Sequence, residues 1–492
     1  MRDEYVIGLD IGTTSAKAVL FTTEGKVVLE AEQPNTTLYP HPGWVEQEPA
    51  AVERACMTVL KDIFSKSADK RGQILGIGIS CAQHSLICVG ENGEPLSNML
   101  IWSDGRSSDL AEKLMHTQNG KEIFMETGTP IHPMSPFLKL LWMKENDYEP
   151  YHQAAYFMSF KEYLLFKWYG VRMVDHGMAA SAGLLNLKTL DWSDRALDMT
   201  GVRREQLSKV IPPTEILTGM NPQLANEIGI PDGLPMVIGS GDAPLANLGS
   251  GAIQPGELNI SLGTSGALRQ FTKGFPINES AETYTYSFNT EYSIIGGPTN
   301  NGGNALQWAM ELFHFEGSFN EFLDGAGNIK VGADGIIFHP YLSGERAPLW
   351  NRRSRGNLYG LTIEHSRDHI VRAILEGITF NLYQIGISLE KVAGKPDKIT
   401  VNGGLTRSEV WLQILADVFG QDIYVSETHQ NAAWGAAWTA LVAIGKASSF
   451  SAIKDSLPTE RVVKTNIENH ELYQEIFMKY LKIGENVQEF FH

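Results

Sequence analysis

The sequence predicts a two-domain α/β fold in which mixed sheets are flanked by helices. Three observations carry that expectation. At 492 residues the chain is too long for one ordinary hydrophobic core. Short apolar runs of strand type alternate with stretches of helical periodicity. A strand–turn–strand motif occurs twice, about half a chain apart: Leu9-Asp10-Ile11-Gly12-Thr13-Thr14-Ser15-Ala16 returns as Ile260-Ser261-Leu262-Gly263-Thr264-Ser265-Gly266-Ala267. A duplicated hairpin at the start of each half is what two similar domains facing one cleft would produce.

The elements follow in order. Residues 5–10, 17–21 and 27–31 read as three strands, with Glu24-Gly25-Lys26 as a turn. Two hairpins in succession predict an antiparallel edge and exclude a simple βαβ start. Residues 50–64 form a helix with Val52, Cys56, Val59, Leu60 and Ile63 on one face. Residues 74–80 are an apolar run of buried-strand type. Several helical stretches occupy 100–235, interrupted at Pro212-Pro213. Residues 235–239 are a strand that leads into Ser240-Gly241-Asp242 and a helix rich in Ala, Leu and Gly. The domain boundary is expected at 245–255, dividing the chain into 1–248 and 249–492. In the second half, residues 398–404 are a strand ending in glycines, before a helix over 408–419.

Composition excludes several classes. Hydrophobic residues make up 43% and charged residues 20%, as in soluble globular proteins. With 40 basic and 57 acidic side chains the formal net charge is −17, which argues against non-specific nucleic-acid binding. An anionic substrate would therefore need a locally positive pocket. Cys56, Cys81 and Cys88 have neither disulfide-framework nor zinc-site spacing and suit a reducing compartment. Acids stand near the N-terminus where a signal peptide carries bases, and no eighteen apolar residues run together, so a cytoplasmic protein with no membrane partner is expected. Self-association into a homodimer stays open.

The chemistry concentrates at strand ends. The turn Gly12-Thr13-Thr14 offers backbone N–H groups and hydroxyls to one point, which suits phosphate oxygens, and Asp10 just before it can position a hydrated Mg²⁺. Its echo at Gly263-Thr264-Ser265 would let one polyphosphate be gripped from both sides. Neither G-x-x-x-x-G-K-[ST] nor G-x-G-x-x-G occurs, so a nucleotide reading rests on the paired hairpins. Asp242 can take a proton from a substrate hydroxyl, or it can simply cap a helix. Gln83 and His84, with Trp102, Asp104 and Arg106, form polar clusters just past apolar runs, where open α/β sheets bind ligands. Gly302-Gly303 and Gly403-Gly404 precede helices and would let a flat ring or a phosphate approach the backbone.

Together these pieces resemble the FGGY carbohydrate kinase family of the actin-like ATPase superfamily, over nearly the whole chain. The carrying segments are Met134-Ser135-Pro136-Phe137-Leu138-Lys139-Leu140-Leu141-Trp142-Met143-Lys144-Glu145-Asn146, and the stretch from Gly356 through Gly360-Leu361 and His369-Ile370 to Ala373-Ile374-Leu375-Glu376. The resemblance implies two actin-like (ribonuclease H-like) domains with ATP and a sugar in the cleft between them. It implies Thr13, Thr14, Ser15 and Lys17 on the terminal phosphates, Thr264 opposite them, and Gly303, Gln307, Gly404 and Ser408 on the adenosine side. Asp10 would hold Mg²⁺ through water, and Asp242 matches the general base. Gln83, His84, Trp102, Asp104 and Arg106 fall where the acceptor binds. From charge alone His84, Arg106 or Lys161 can pair with an acceptor carboxylate. Within the family, Gly128-Thr129-Pro130-Ile131-His132-Pro133-Met134, Gly296-Gly297-Pro298-Thr299-Asn300-Asn301-Gly302-Gly303 and the segment from Phe338 to Trp350 look most like members that phosphorylate gluconate. The last is partly shared with xylulose kinases. Gln83 departs from both groups, which usually place Met before the His. The rival expectations are a ketopentose acceptor such as xylulose, and a non-enzymatic actin-like module that binds ATP to sense or assemble.

Overall fold

A computed structural model of the chain describes residues 3–426, 430–457 and 461–491. Its two main sheets are built on one plan. In the first, the strand Tyr5–Ile11 pairs antiparallel with Ser15–Thr22 and parallel with Ile74–Cys81. Val27–Pro34 extends the hairpin side, while Met236–Gly241 and Ile216–Leu217 extend the parallel side, making six strands. In the second, Glu257–Leu262 pairs antiparallel with Gly266–Lys273 and parallel with Lys398–Asn402. Tyr292–Thr299 then lies beside the hairpin and Ile423–Val425 beside the parallel strand, within seven strands. The repeat read from the sequence is therefore a repeat of local sheet topology. In both sheets the hairpin turn and the end of the parallel strand meet at one edge, which is where α/β sheets receive ligands.

The predicted elements form with small shifts at their ends. The first long helix spans Pro49–Lys66, with Pro49 at its first turn and Val52, Cys56, Val59, Leu60 and Ile63 buried. The late helix is Glu409–Phe419, and Ser408 caps it by accepting from the Trp411 N–H at 3.2 Å.

Chain order and core do not coincide throughout. The helix Asn431–Ala443 packs against the first sheet, and its Trp434, Ala436 and Ala437 join the core of the first half of the chain. Glycines permit this contact. A Cβ on Gly78 would lie 1.9 Å from the Ala436 carbonyl oxygen, and one on Gly8 would lie 2.0 Å from that of Ala433. The remaining core gathers around the second sheet and the 27-residue helix Arg367–Ala393. Among the described residues, no helix is long and apolar enough to cross a membrane.

Candidate active site

The strand Met236–Gly241 is buried along its whole length, and Asp242 follows it as the first residue of the helix Asp242–Gly249. Its carboxylate Oδ1 accepts from the Ala243 N–H at 2.9 Å, and the Gln83 backbone N–H also donates to it. Burial raises its pKa from the ordinary 3.8, while Arg269 acts in the opposite direction. Asp242 lies on a cavity of about 330 Å³ that both halves of the chain line. Gln83, His84 and Trp102 come to it from one half, and Gly263, Arg269 and Arg346 from the other.

Asp10 stands near the end of Tyr5–Ile11, separated from Met236–Gly241 by the strand Ile74–Cys81, and accepts from the Ser80 hydroxyl of that intervening strand at 2.7 Å. Its pKa is raised to about 6, chiefly by burial and further by the nearby charge of Asp242. Lys17 offsets part of this effect, and an added cation near Asp10 would offset more. Among the described residues there is no cluster of three or more His, Cys, Asp or Glu that would form an all-protein metal cage. That donor set fits Mg²⁺, which keeps its waters and is held by one or two carboxylates plus phosphate oxygens.

Both hairpin turns are closed by a bond from the glycine N–H, to the third residue on in the first turn and to the second residue on in the other. Gly12 N–H donates to the Ser15 carbonyl at 3.0 Å, and Gly263 N–H donates to that of Ser265 at 2.9 Å. Gln47 braces the first turn by donating to the Thr13 carbonyl at 2.6 Å, which leaves the exposed Thr14 at its tip. Ser15 and Lys17 sit past the turn on the second strand. There the Ser15 hydroxyl donates to Glu32 at 2.6 Å, and Lys17 pairs with Glu32 at 3.5 Å.

Beside the second turn opens a cleft of about 770 Å³, lined by Thr264, Gly303, Gln307, Trp308 and Gly404. The helix Gly303–Leu312 is stitched to the turn, since its Gly303 and Asn304 N–H groups donate to the carbonyls of Gly263 and Thr264. A Cβ on Gly303 would lie 2.8 Å from the Gly263 oxygen, so the close approach needs glycine. Ser408 does not line this cleft; it is buried, and its hydroxyl caps the next helix.

Three expected acceptor ligands do not reach the cavity. The Arg106 side chain is fully buried, lies over the Trp44 ring at 3.8 Å, and pairs with Glu46 and with Asp104 at 2.9 Å. Asp104 is held in the same cluster and also accepts from the Val45 N–H at 2.8 Å. Lys161 pairs with Asp175 at 2.5 Å, with both side chains fully buried. Arg106 thus neutralises both its near neighbour Asp104 and the sequence-distant Glu46, and Asp175 neutralises Lys161. His84 does line the cavity, but burial pushes its pKa down to about 3, so in the free protein it is neutral and offers no standing charge to a carboxylate. The bond between its Nδ1 and the Ser181 carbonyl, at 2.9 Å, places the proton on Nδ1 and leaves Nε2 as an acceptor. His84 has φ 68°, in the left-handed region, and Lys139 holds this turn by donating to the His84 and Ile101 carbonyls. Cys81 is buried and its thiol pKa is pushed up, so it stays protonated and inert.

Sequence reasoning missed Arg269 and Arg346. Arg269 lies on the strand that leaves the second turn, where the alternation of faces was the only signal. Arg346 lies in the segment from Phe338 to Trp350, where the resemblance drew attention to the stretch but not to its cation.

Comparison with known proteins adds the following. The N-terminal domain of the FGGY family of carbohydrate kinases matches residues 5–249, and the C-terminal domain of that family matches residues 258–444. A gluconokinase of Bacillus subtilis (strain 168) is 37% identical, over 98% of this chain and 96% of its own. A solved gluconate kinase from Lactobacillus acidophilus superposes with a TM-score of 0.95 at 33% identity, covering 99% of this chain and 98% of that one. A ligand-bound xylulose kinase structure from the same organism gives the same TM-score, identity and coverage.

Proposed function

This chain belongs to the FGGY family of carbohydrate kinases, and within that family we propose that it transfers the terminal phosphoryl group of ATP to the O6 hydroxyl of D-gluconate. The observation that carries the reading is the place of Asp242: a half-buried carboxylate on a cavity shared by both halves of the chain, beside the second Gly-Thr turn and within electrostatic reach of Asp10 behind the first. The gluconokinase relative supports gluconate as the acceptor.

In this reading Thr13 and Thr14 hold the terminal phosphates from one side and Thr264 from the other. Gly303, Gln307 and Gly404 receive the adenosine in the larger cleft. Asp10 holds Mg²⁺ through water, and that ion, when bound, neutralises charge on the phosphate oxygens. Asp242 accepts the O6 proton as O6 bonds to the γ-phosphorus. The bond from that phosphorus to the β–γ bridging oxygen breaks, and ADP leaves with the electron pair. The backbone N–H groups of the two turns face the charge that spreads over the transferred group. Approach of the two halves excludes water, which would otherwise compete with O6. Three buried free thiols suit a cytoplasmic setting for this reaction.

A second reading, a ketopentose acceptor, is favoured by the equal likeness to the xylulose kinase structure. Coupled ADP-release assays over a panel of sugar acids, ketoses and polyols separate the two. Gluconate is expected to give the highest kcat/KM, with phosphate at O6 by NMR of the product. Robust xylulose turnover without gluconate-dependent ADP release would replace the first reading with the second.

A further inference from the structure

The acceptor cavity carries two cations that the reaction leaves unassigned. Arg269 and Arg346 are the only Lys or Arg among the described residues that line it, and His84 beside them is neutral. Each arginine has a buried Nε–H without a hydrogen-bond partner among the described residues. An unpaired buried donor on a cation is costly unless something fills the site.

Their surroundings separate their roles. Arg269 is the cation that acts on Asp242, so it belongs to the end of the cavity where the hydroxyl reacts. Arg346 lies next to Arg269, Tyr284 and Tyr286, with its guanidinium 5.1 Å from the centre of the Trp102 ring. One of its nitrogens, Nη2, donates to the Thr299 carbonyl at 3.0 Å. The adjoining Glu345 is not its hydrogen-bond partner through the side chain. That carboxylate accepts from the Thr299 hydroxyl, the Asn300 N–H and the amides of Asn301 and Asn381, and meets only the backbone N–H of Arg346. Two neighbouring guanidinium groups repel each other, and an anion between them relieves the repulsion. Glu345 offsets part of the Arg346 charge but makes no side-chain hydrogen bond to it, and the Arg346 Nε–H stays unpartnered at the cavity, so a substrate carboxylate is the group that would complete it.

We propose that Arg346 binds the carboxylate of the acceptor at the end of the cavity away from Asp242, and so selects a sugar acid over a neutral sugar. This rests on the gluconate reading above and supplies its missing recognition element. A six-carbon aldonic acid has its carboxylate at C1 and its reactive hydroxyl at C6, so fixing one end at Arg346 directs the other toward Asp242. Because Arg346 comes from the second half of the chain and Asp242 from the first, the acceptor itself would bridge the two. Arg suits the task through its planar fork of donors, which matches a carboxylate in two-point contact.

The test compares gluconate with gluconamide, which keeps every hydroxyl and loses only the charge. With the full-length wild-type protein, kcat/KM for gluconate should exceed that for gluconamide by about 100-fold. Equal use of the two would overturn the proposal without any variant. Arg346→Gln should raise the gluconate KM by about 100-fold, leave gluconamide turnover nearly unchanged, and preserve MgATP affinity measured by calorimetry. Arg346→Lys should recover part of the preference. Equal losses on both acceptors with MgATP binding intact would mean a purely structural arginine and would overturn the proposal. The gluconate reading has a separate failure: a wild-type enzyme that phosphorylates ketoses and no sugar acid defeats both. Wild-type gluconate turnover with an unshifted KM in Arg346→Gln defeats this inference alone.

Discussion

At the scale of single residues, the account depends on which charges are free to act and which are already paired. Asp242→Asn keeps the shape and removes the proton acceptor, so kcat should fall by about 10²- to 10⁴-fold while MgATP affinity by calorimetry stays near wild type. The raised pKa of Asp242 gives the sign of the pH dependence. Its protonated form cannot take the O6 proton, so kcat/KM falls as pH falls, with an acid limb above the ordinary carboxylate value of 3.8. A limb at or below that value in a pH–rate profile would contradict the assignment. Over the same window the folded apo protein holds a proton that the unfolded chain has released, so this group favours the folded state less as pH rises. Arg106 has a different role. Arg106→Ala leaves Asp104 and Glu46 buried without their cation, and urea unfolding should show a loss of about 3–5 kcal/mol, with the preference between gluconate and neutral acceptors unchanged in the folded fraction. These two kinds of charge look alike in a sequence. Asp242, Gln83, His84 and Trp102 were legible because they follow apolar strands and so emerge at a ligand-binding edge. Asp104, Arg106 and Lys161 were misread because Arg106 turns back on Asp104 and on the sequence-distant Glu46, and Lys161 pairs with Asp175, contacts that no local pattern announces. Arg269 was invisible for the opposite reason: nothing beside it in the chain marks that it faces a cavity.

At the scale of elements, the hairpins, the long amphipathic helix and the glycine-terminated strands carried their own local signals, and their structure follows those signals. The helix Asn431–Ala443 did not. Its Ala, Gly and Trp residues are apolar all round, a pattern that announces burial without saying against what. Its partner is the strand pair around Gly8 and Gly78, more than 350 residues earlier, and the fit depends on missing side chains. Gly78→Ala places a methyl group 1.9 Å from a backbone oxygen that belongs to a packed helix. Denaturant unfolding should show a loss of at least about 1–3 kcal/mol. An unchanged midpoint would mean that the helix can move away at little cost.

At the scale of the whole molecule, the repeated hairpin becomes two sheets of similar plan with their turns at a shared cavity. The duplication was legible in the sequence because each copy keeps its Gly-Thr turn. The coupling of the halves was not, since the cavity draws Asp242 from one half and its two arginines from the other. A chain of net charge −17 thereby places two arginines at one cavity, as the proposed anionic acceptor would require. The central claim is that gluconate lies across this cavity with O6 at Asp242. A crystal structure with gluconate and a non-hydrolysable ATP analogue tests it most directly. The account predicts O6 within hydrogen-bond reach of the Asp242 carboxylate, about 2.6–3.2 Å, with the substrate carboxylate at Arg346. Gluconate bound with its carboxylate toward Asp242, or with O6 beyond the reach of that residue, would contradict it.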